Sequence, residues 1–218
     1  MNFELSEELK MLREMTYKFA VAEFTPHIRE CDEHETYTPE IRKKAAENGL
    51  VGAWIPDTYG GAGAGILGNA VITEELSKID MGIGLNVVAA CFGCESIFQY
   101  GSEEQKKKWL PPVCAGDWVS AGAFTEPNAG TDVAGYKTRA VKQGDRYVIN
   151  GNKMFITNGT VCNFMVAQCI TNPDEKKHNS FSLIIVPADT PGVTRNKIRG
   201  KMGIRSSDTA EIAFEDVK

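Results

Sequence analysis

Apolar residues recur three and four positions apart through the first half of this chain, and on alternate positions through much of the second. The first spacing lines one face of an α-helix and the second one face of a β-strand, so the pattern predicts helices followed by strands. Leu9, Leu12, Met15, Phe19 and Ala22 form the first helical stripe. Ser6 stands ready to cap it, with Glu7 and Glu8 at the positive end of the helix dipole. Thr38-Pro39 opens a second helix, which Gly49 closes. The apolar run Leu50 to Ile55 stops at Pro56, and the glycine-rich stretch Tyr59 to Gly65 predicts a flexible loop. A third helix is expected from about Leu67 to Ile79, followed by the break Asp80-Met81-Gly82. Leu85, Val88, Ala89, Phe92, Ser96 and Phe98 mark a fourth, ended by Gly101. Ser102-Glu103-Glu104-Gln105 is a capping box for a short fifth helix, with Pro111-Pro112 as its stop.

Beyond these helices the period changes to two. Thr138, Ala140 and Lys142 alternate with Arg139 and Val141, and Gln143-Gly144-Asp145 turns the chain into Tyr147-Val148-Ile149. Asn150-Gly151 is a hairpin signal. Further strands are expected at Phe164 to Ile170, Phe181 to Val186 and Ala210 to Phe214, separated by the turn-rich segments Asn172-Pro173-Asp174 and Asp189-Thr190-Pro191-Gly192. The fold class is therefore α+β: a helical domain over residues 1–116, then an antiparallel β domain over 117–218.

Composition narrows the function. The 218 residues are 42% hydrophobic and 24% charged, enough apolar material for a core, and the net charge is −5. An acidic chain lacks the basic surface that nucleic acid requires, and Lys106-Lys107-Lys108 reads as one solvated helix turn. The six cysteines include the pair Cys91 and Cys94 at CxxC spacing. A zinc site would need a second pair or nearby histidines, and His27, His34 and His178 are scattered, so structural thiols and no metal are expected. Reduced thiols suit an intracellular compartment. The start Met1-Asn2-Phe3-Glu4 has no secretion-signal pattern and no apolar stretch reaches membrane-spanning length, so a cytoplasmic protein is expected.

The common nucleotide-binding patterns are absent. Gly61, Gly63 and Gly65 do not complete GxGxxG, because Ile66 stands where the last glycine would fall. There is also no Walker loop, GxSxG elbow or HExxH. One segment could still approach a phosphate: Ala123-Phe124-Thr125-Glu126-Pro127-Asn128-Ala129-Gly130-Thr131-Asp132. It begins as a strand, breaks at Pro127, and passes through small residues whose amides can face an anion. A second segment, Asn150 to Gly159, places an aromatic residue and a threonine between two Asn-Gly turns. Taken singly, the first reads more readily as an ordinary loop, and periodicity does not distinguish the second from a plain hairpin.

Together, in this order, the two segments resemble the signatures of the acyl-CoA dehydrogenase family. Thr125 to Asp132 is similar to TEPxAG(S/T)D, and Asn150 to Asn158 to NGxKx(W/F)ITN. Pro56 to Gly61, Tyr100 to Lys106 and Met202 to Thr209 agree as well, and Phe214-Glu215-Asp216-Val217 matches the strand closing the family's middle domain. The resemblance extends over essentially the whole chain.

That resemblance implies an N-terminal helical domain and a barrel-like middle β domain, with the family's C-terminal helical domain absent from this chain. It implies FAD as cofactor, an acyl-CoA thioester as substrate, electron-transfer flavoprotein as electron acceptor and a homotetramer, in fatty or cyclic acid degradation. In such chemistry a base removes the α proton while a hydride leaves the β carbon for the flavin, and hydrogen bonds to the thioester carbonyl stabilise the enolate. By motif match, Gly122, Ala123, Phe124 and Thr125 line the flavin, and Gly130 and Thr131 lie near its pyrophosphate, Thr131 also touching the CoA. Phe155, Ile156 and Thr157 run along the other side of the ring, with Phe155 where many relatives carry Trp. Cys91, in the small-residue stretch Gly84 to Cys94 that matches the acyl-pocket floor, and Arg205 are substrate-side candidates. No residue is assigned as the catalytic base, which in relatives lies in the C-terminal domain, and Glu126 is expected to stabilise its loop. The rival readings are an acyl-CoA oxidase and a non-catalytic half-site subunit of a heteromer completed by a C-terminal chain.

Overall fold

The computed structural model describes residues 4–176 and 179–218. Met1, Asn2 and Phe3 of the acidic start, and His178 with Lys177, lie outside the described residues. The chain forms two compact units, each discontinuous in sequence. One comprises the chain up to Cys91, Ile97–Trp118 and Gly200–Ser207; the other comprises Phe92–Ser96, Val119–Arg199 and Asp208–Lys218.

The helical unit opens with α1 (Glu7–Phe24), whose Leu9 amide donates to the Ser6 hydroxyl at 3.3 Å. Its buried line is Thr16, Ala20 and Phe24, whereas Met15 and Ala22 of the expected stripe are exposed. A polar residue can occupy that line because the Thr16 hydroxyl donates to the Leu12 carbonyl at 2.8 Å, one turn back. A short helix that the periodicity did not reveal, α2 (Ile28–His34), buries only Cys31, too little apolar surface to leave a pattern. The helix from Thr38-Pro39 is α3 (Pro39–Glu47), and Gly49 follows it at φ +70°. Next come α4 (Gly65–Ile79) and α5 (Met81–Val88), the latter capped by Asp80, which accepts from the Ile83 amide at 2.7 Å.

Two expectations fail in this stretch. The fourth predicted helix is divided: α5 ends at Val88, and α6 (Cys94–Tyr100) starts only after Gly93, whose φ of +95° no continuous helix allows. The fifth, α7 (Glu103–Cys114), carries its capping box but does not stop at Pro111-Pro112. The two prolines remove donors only to the carbonyls of the exposed Lys107 and Lys108, which water can satisfy. Burial of Leu110, Val113 and Cys114 carries the helix through them. The core of this unit gathers Phe24, Leu50, Ile72, Leu76 and Ile83, all fully buried, at about 1.5–3 kcal/mol each for the large apolar side chains.

The second unit is one curled sheet of seven strands among the described residues. They are β1 (Ser120–Ala123), β2 (Arg139–Gln143), β3 (Arg146–Thr157), β4 (Phe164–Ile170), β5 (Phe181–Pro187), β6 (Val193–Lys197) and β7 (Thr209–Val217). The order runs β1-β4-β2-β3-β7-β6, with β5 paired to β4. Most ladders are antiparallel, but β1 runs parallel to β4, from Ser120↔Phe164 to Ala123↔Ala167. The polar β6, Val-Thr-Arg-Asn-Lys, gives no alternation and was not anticipated.

Asn150-Gly151 is not a hairpin turn. It lies inside the twelve-residue β3, where the register against β7 shifts between Ile149 and Gly151. Gly151 sits at φ +149°, and a Cβ there would stand 2.5 Å from the Thr138 hydroxyl. The glycine thus answers a bulge and a close approach, not a chain reversal.

Candidate functional site

The two signature segments meet in the β unit. After β1 the chain leaves the sheet at Phe124, and the Thr125 carbonyl accepts from the Met154 amide of β3 at 2.8 Å. Gly122 makes room for this exit: a Cβ there would stand 2.6 Å from the Phe124 ring. The loop then pinches into a small turn, in which Glu126 and Ala129 exchange both backbone hydrogen bonds at 2.9 and 3.1 Å.

Beneath the loop is a closed polar cage. Lys153, on β3, has a side chain with no exposure. Its ammonium donates to Glu126 Oε1 and to the Phe124 carbonyl, each at 2.9 Å, and lies 4.7 Å from the centre of the Tyr136 ring. Glu126 also accepts from the Lys137 amide at 2.6 Å and the Thr138 amide at 3.0 Å. Burial alone would push the Glu126 carboxyl up, but the Thr138 hydroxyl together with these donors holds it below the usual carboxylate range. Burial pulls the Lys153 ammonium down, opposed by Glu126. The Tyr136 hydroxyl donates to the Gly130 carbonyl at 3.3 Å, tying the far end of the loop to the same cage.

On the strand side, β3 carries a second bulge between Lys153 and Ile156. Phe155 occupies it at φ +59°, a conformation costly for a bulky residue, and leaves 64% of its surface exposed. At the strand's end Asn158, also at positive φ, donates to the Ser120 carbonyl of β1 at 3.3 Å. The buried Asp208 accepts from the Thr160 amide at 2.8 Å and hydroxyl at 2.6 Å, holding the following turn.

The residues expected at a cofactor are therefore gathered, but not all present side chains. Ala123 and Ile156 belong to the buried β core, so only their backbone is available. Gly122, Phe124, Thr125 and Thr157 are partly exposed, and Gly130, Thr131 and Phe155 are open to solvent. The amides of Gly130 and Thr131 have no backbone acceptor among the described residues, and a Cβ at Gly130 would meet only Thr125, at 3.9 Å. This open glycine face and the outward aromatic are what a large anionic cofactor with a planar ring would need.

Cys91 and Arg205 belong to the helical unit. Cys91 is buried, its thiol donating to the Val88 carbonyl at 3.3 Å. The Arg205 guanidinium donates to the Asp32 carbonyl at 2.9 Å and the Lys201 carbonyl at 2.8 Å, and pairs with Glu35 at 3.2 Å. Gly84 packs against α4, where an added Cβ would meet Leu76 at 3.2 Å, so its small size serves helix packing. Among the described residues no group of three or more His, Cys, Asp or Glu could hold a metal ion, and no helix is long and apolar enough to cross a membrane.

Sequence reasoning missed Lys153, Tyr136 and Asp208. A lysine at an inward position of a strand, paired with a glutamate in the other signature, was the available signal for the first.

A helical unit followed by a curled sheet is also the order of the two domain families that this chain matches. The family described as acyl-CoA dehydrogenase, N-terminal domain, matches residues 6–117, and the acyl-CoA dehydrogenase middle domain matches 121–217. The chain belongs to the acyl-CoA dehydrogenase family. It is 40% identical over 219 residues to a probable acyl-CoA dehydrogenase, YngJ, of Bacillus subtilis, covering 100% of this chain and 58% of that protein. Among solved structures, a chain from the electron transferring flavoprotein study of Acidaminococcus fermentans matches with a TM-score of 0.93 at 37% identity, over 100% of this chain and 57% of that one. A glutaryl-CoA dehydrogenase of Mycobacterium smegmatis in complex with FADH2 matches with a TM-score of 0.90 at 32% identity, over 98% and 54%. The chain thus spans little more than half the length of these relatives.

Proposed function

We propose that this chain supplies the FAD-binding face of an enzyme that dehydrogenates an acyl-CoA thioester between its α and β carbons. The observation that carries the reading is Phe155, a bulky residue held at positive φ and turned out to solvent beside a hydrogen-bonded glycine loop. Such strain persists where the surroundings over-determine it, and an exposed aromatic so held is a platform for a planar ring. Bound FAD would supply the hydride acceptor. Phe155 and the backbone of Gly122 to Phe124 and Ile156 would border the ring, with the Thr125 and Thr157 hydroxyls as donors to its polar edge. The Gly130 and Thr131 amides would receive the pyrophosphate, and Thr131 the CoA.

No residue here is assigned as the base, and Glu126 in particular is committed to Lys153 and two backbone amides. Electron-transfer flavoprotein is the proposed acceptor, a reading supported by the Acidaminococcus relative. A cytoplasmic homo-oligomer is the proposed setting, and Cys91 and Arg205 remain the proposed substrate-side residues of the helical unit.

Titration of the flavin-free protein with FAD tests the reading. Saturable binding with a red-shifted, structured flavin spectrum is expected, and loss of that binding on Thr131→Val with Gly130→Val. Binding of FMN as tightly as FAD, or of neither, would contradict it, because the loop is assigned to a pyrophosphate.

A further inference from the structure

The cage beneath the loop joins segments that the flavin reading uses but does not explain. Lys153 and Phe155 are two residues apart on one strand, so an unbroken β3 would present both on the same face. Instead Lys153 is 1% exposed and Phe155 is 64% exposed. The bulge between Lys153 and Ile156 separates them, and the two hydrogen bonds of the ammonium fix the inward side of that bulge. The same ammonium meets the loop at its start through the Phe124 carbonyl. It meets the loop's return through Glu126, which holds the Lys137 and Thr138 amides. Tyr136, stacked on the ammonium, holds the Gly130 carbonyl. Both borders of the ring site and the glycine at the anion site are thus referred to one buried charge pair.

A buried pair is a weak source of net stability, since two ions must be desolvated to form it, and well-packed apolar substitutes often do as well. What apolar substitutes cannot do is accept and donate along these directions. We propose that Lys153 and Glu126 are positioning residues for the cofactor: together they set the outward display of Phe155 and the spacing of the Phe124–Gly130 loop, without touching the flavin. This rests on the flavin reading above.

The test uses the intact protein and four variants: Lys153→Met, Glu126→Gln, Glu126→Asp and the double variant Lys153→Met/Glu126→Leu. Each is checked for fold by circular dichroism and thermal unfolding, then titrated with FAD while the fine structure of the bound-flavin spectrum is recorded. The double variant leaves no unpaired buried charge, so a merely structural role predicts that a folded double variant binds FAD as the wild type does. The positioning role predicts instead a wild-type-like fold with FAD affinity lowered about tenfold or more and a blurred flavin spectrum. Glu126→Asp, which keeps the charge, should recover part of the affinity that Glu126→Gln loses. Folded variants that bind FAD within about twofold of wild type, with an unchanged spectrum, overturn the proposal while leaving the flavin reading intact. If every variant fails to fold, the pair is structural and the proposal is equally overturned. A wild-type protein that binds no FAD refutes the flavin reading itself, and this proposal with it.

Discussion

Replacing Phe155 by glycine should separate function from stability, because the two ought to move in opposite directions. At φ +59° a non-glycine side chain costs roughly 1–2 kcal/mol, which glycine would not incur. Against this, Phe155 is 64% exposed, so about a third of a phenylalanine's burial would be lost, roughly 0.5–1 kcal/mol. The net effect on folding is therefore near zero or stabilising by up to about 1.5 kcal/mol, whereas most substitutions destabilise. Binding should respond otherwise. Covering the exposed ring with a flavin would contribute about 1–2 kcal/mol by area, and the aromatic contact roughly another 0.5–1 kcal/mol. Removing it should weaken FAD about 30-fold, or about 2 kcal/mol. Urea denaturation of the flavin-free variant and an FAD titration measure the two quantities. A clearly destabilised Phe155→Gly with unchanged FAD affinity would refute the reasoning, since the ring would then be serving the fold alone.

Three further outcomes follow from the geometry. Gly151→Ala should cost about 2 kcal/mol in urea denaturation, because its Cβ would stand 2.5 Å from the Thr138 hydroxyl and 2.7 Å from the Thr138 Cα. Lys153→Met alone should cost about 3–5 kcal/mol by stranding Glu126 as a buried charge, and the double variant above should recover much of it. Burial pushes the Cys114, Cys162 and Cys169 thiols up to about 11, from an ordinary value of 9.0. The folded state holds these protons more tightly than the unfolded chain, so the stability they contribute is fully present below about pH 9 and is lost as pH rises through about 11. Replacing the three by alanine should flatten that alkaline fall in the urea midpoint, and an unaltered slope would count against it.

Sequence made the element types readable wherever a short apolar run stood between turn signals. The strand Phe164 to Ile170, buried on both faces and interrupted only by Gln168, was legible to the residue for that reason. Asn150-Gly151 misled because the same dipeptide that suits a tight turn also suits a bulge, and only the Thr138 backbone packed against it decides between them. The split between α5 and α6 was hidden for the same reason: Gly93 reads as a tolerated helix residue until its φ of +95° is seen. At the site, the signature segments were legible as a pair, but their mechanics were not. The Lys153 cage depends on partners 27 residues apart in sequence, and the outward turn of Phe155 depends on a register shift that periodicity averages away.

The most direct measurement is anaerobic. The protein, reconstituted with FAD, is mixed with saturated acyl-CoA thioesters of straight, branched and cyclic chains together with any C-terminal partner it requires, and the flavin absorbance is followed. The account predicts that at least one thioester bleaches the bound flavin, and that Phe155→Gly and the Lys153 variants lose flavin before they lose their fold. A protein that takes up no FAD, or whose bound flavin stays oxidised with every thioester and partner, would contradict it.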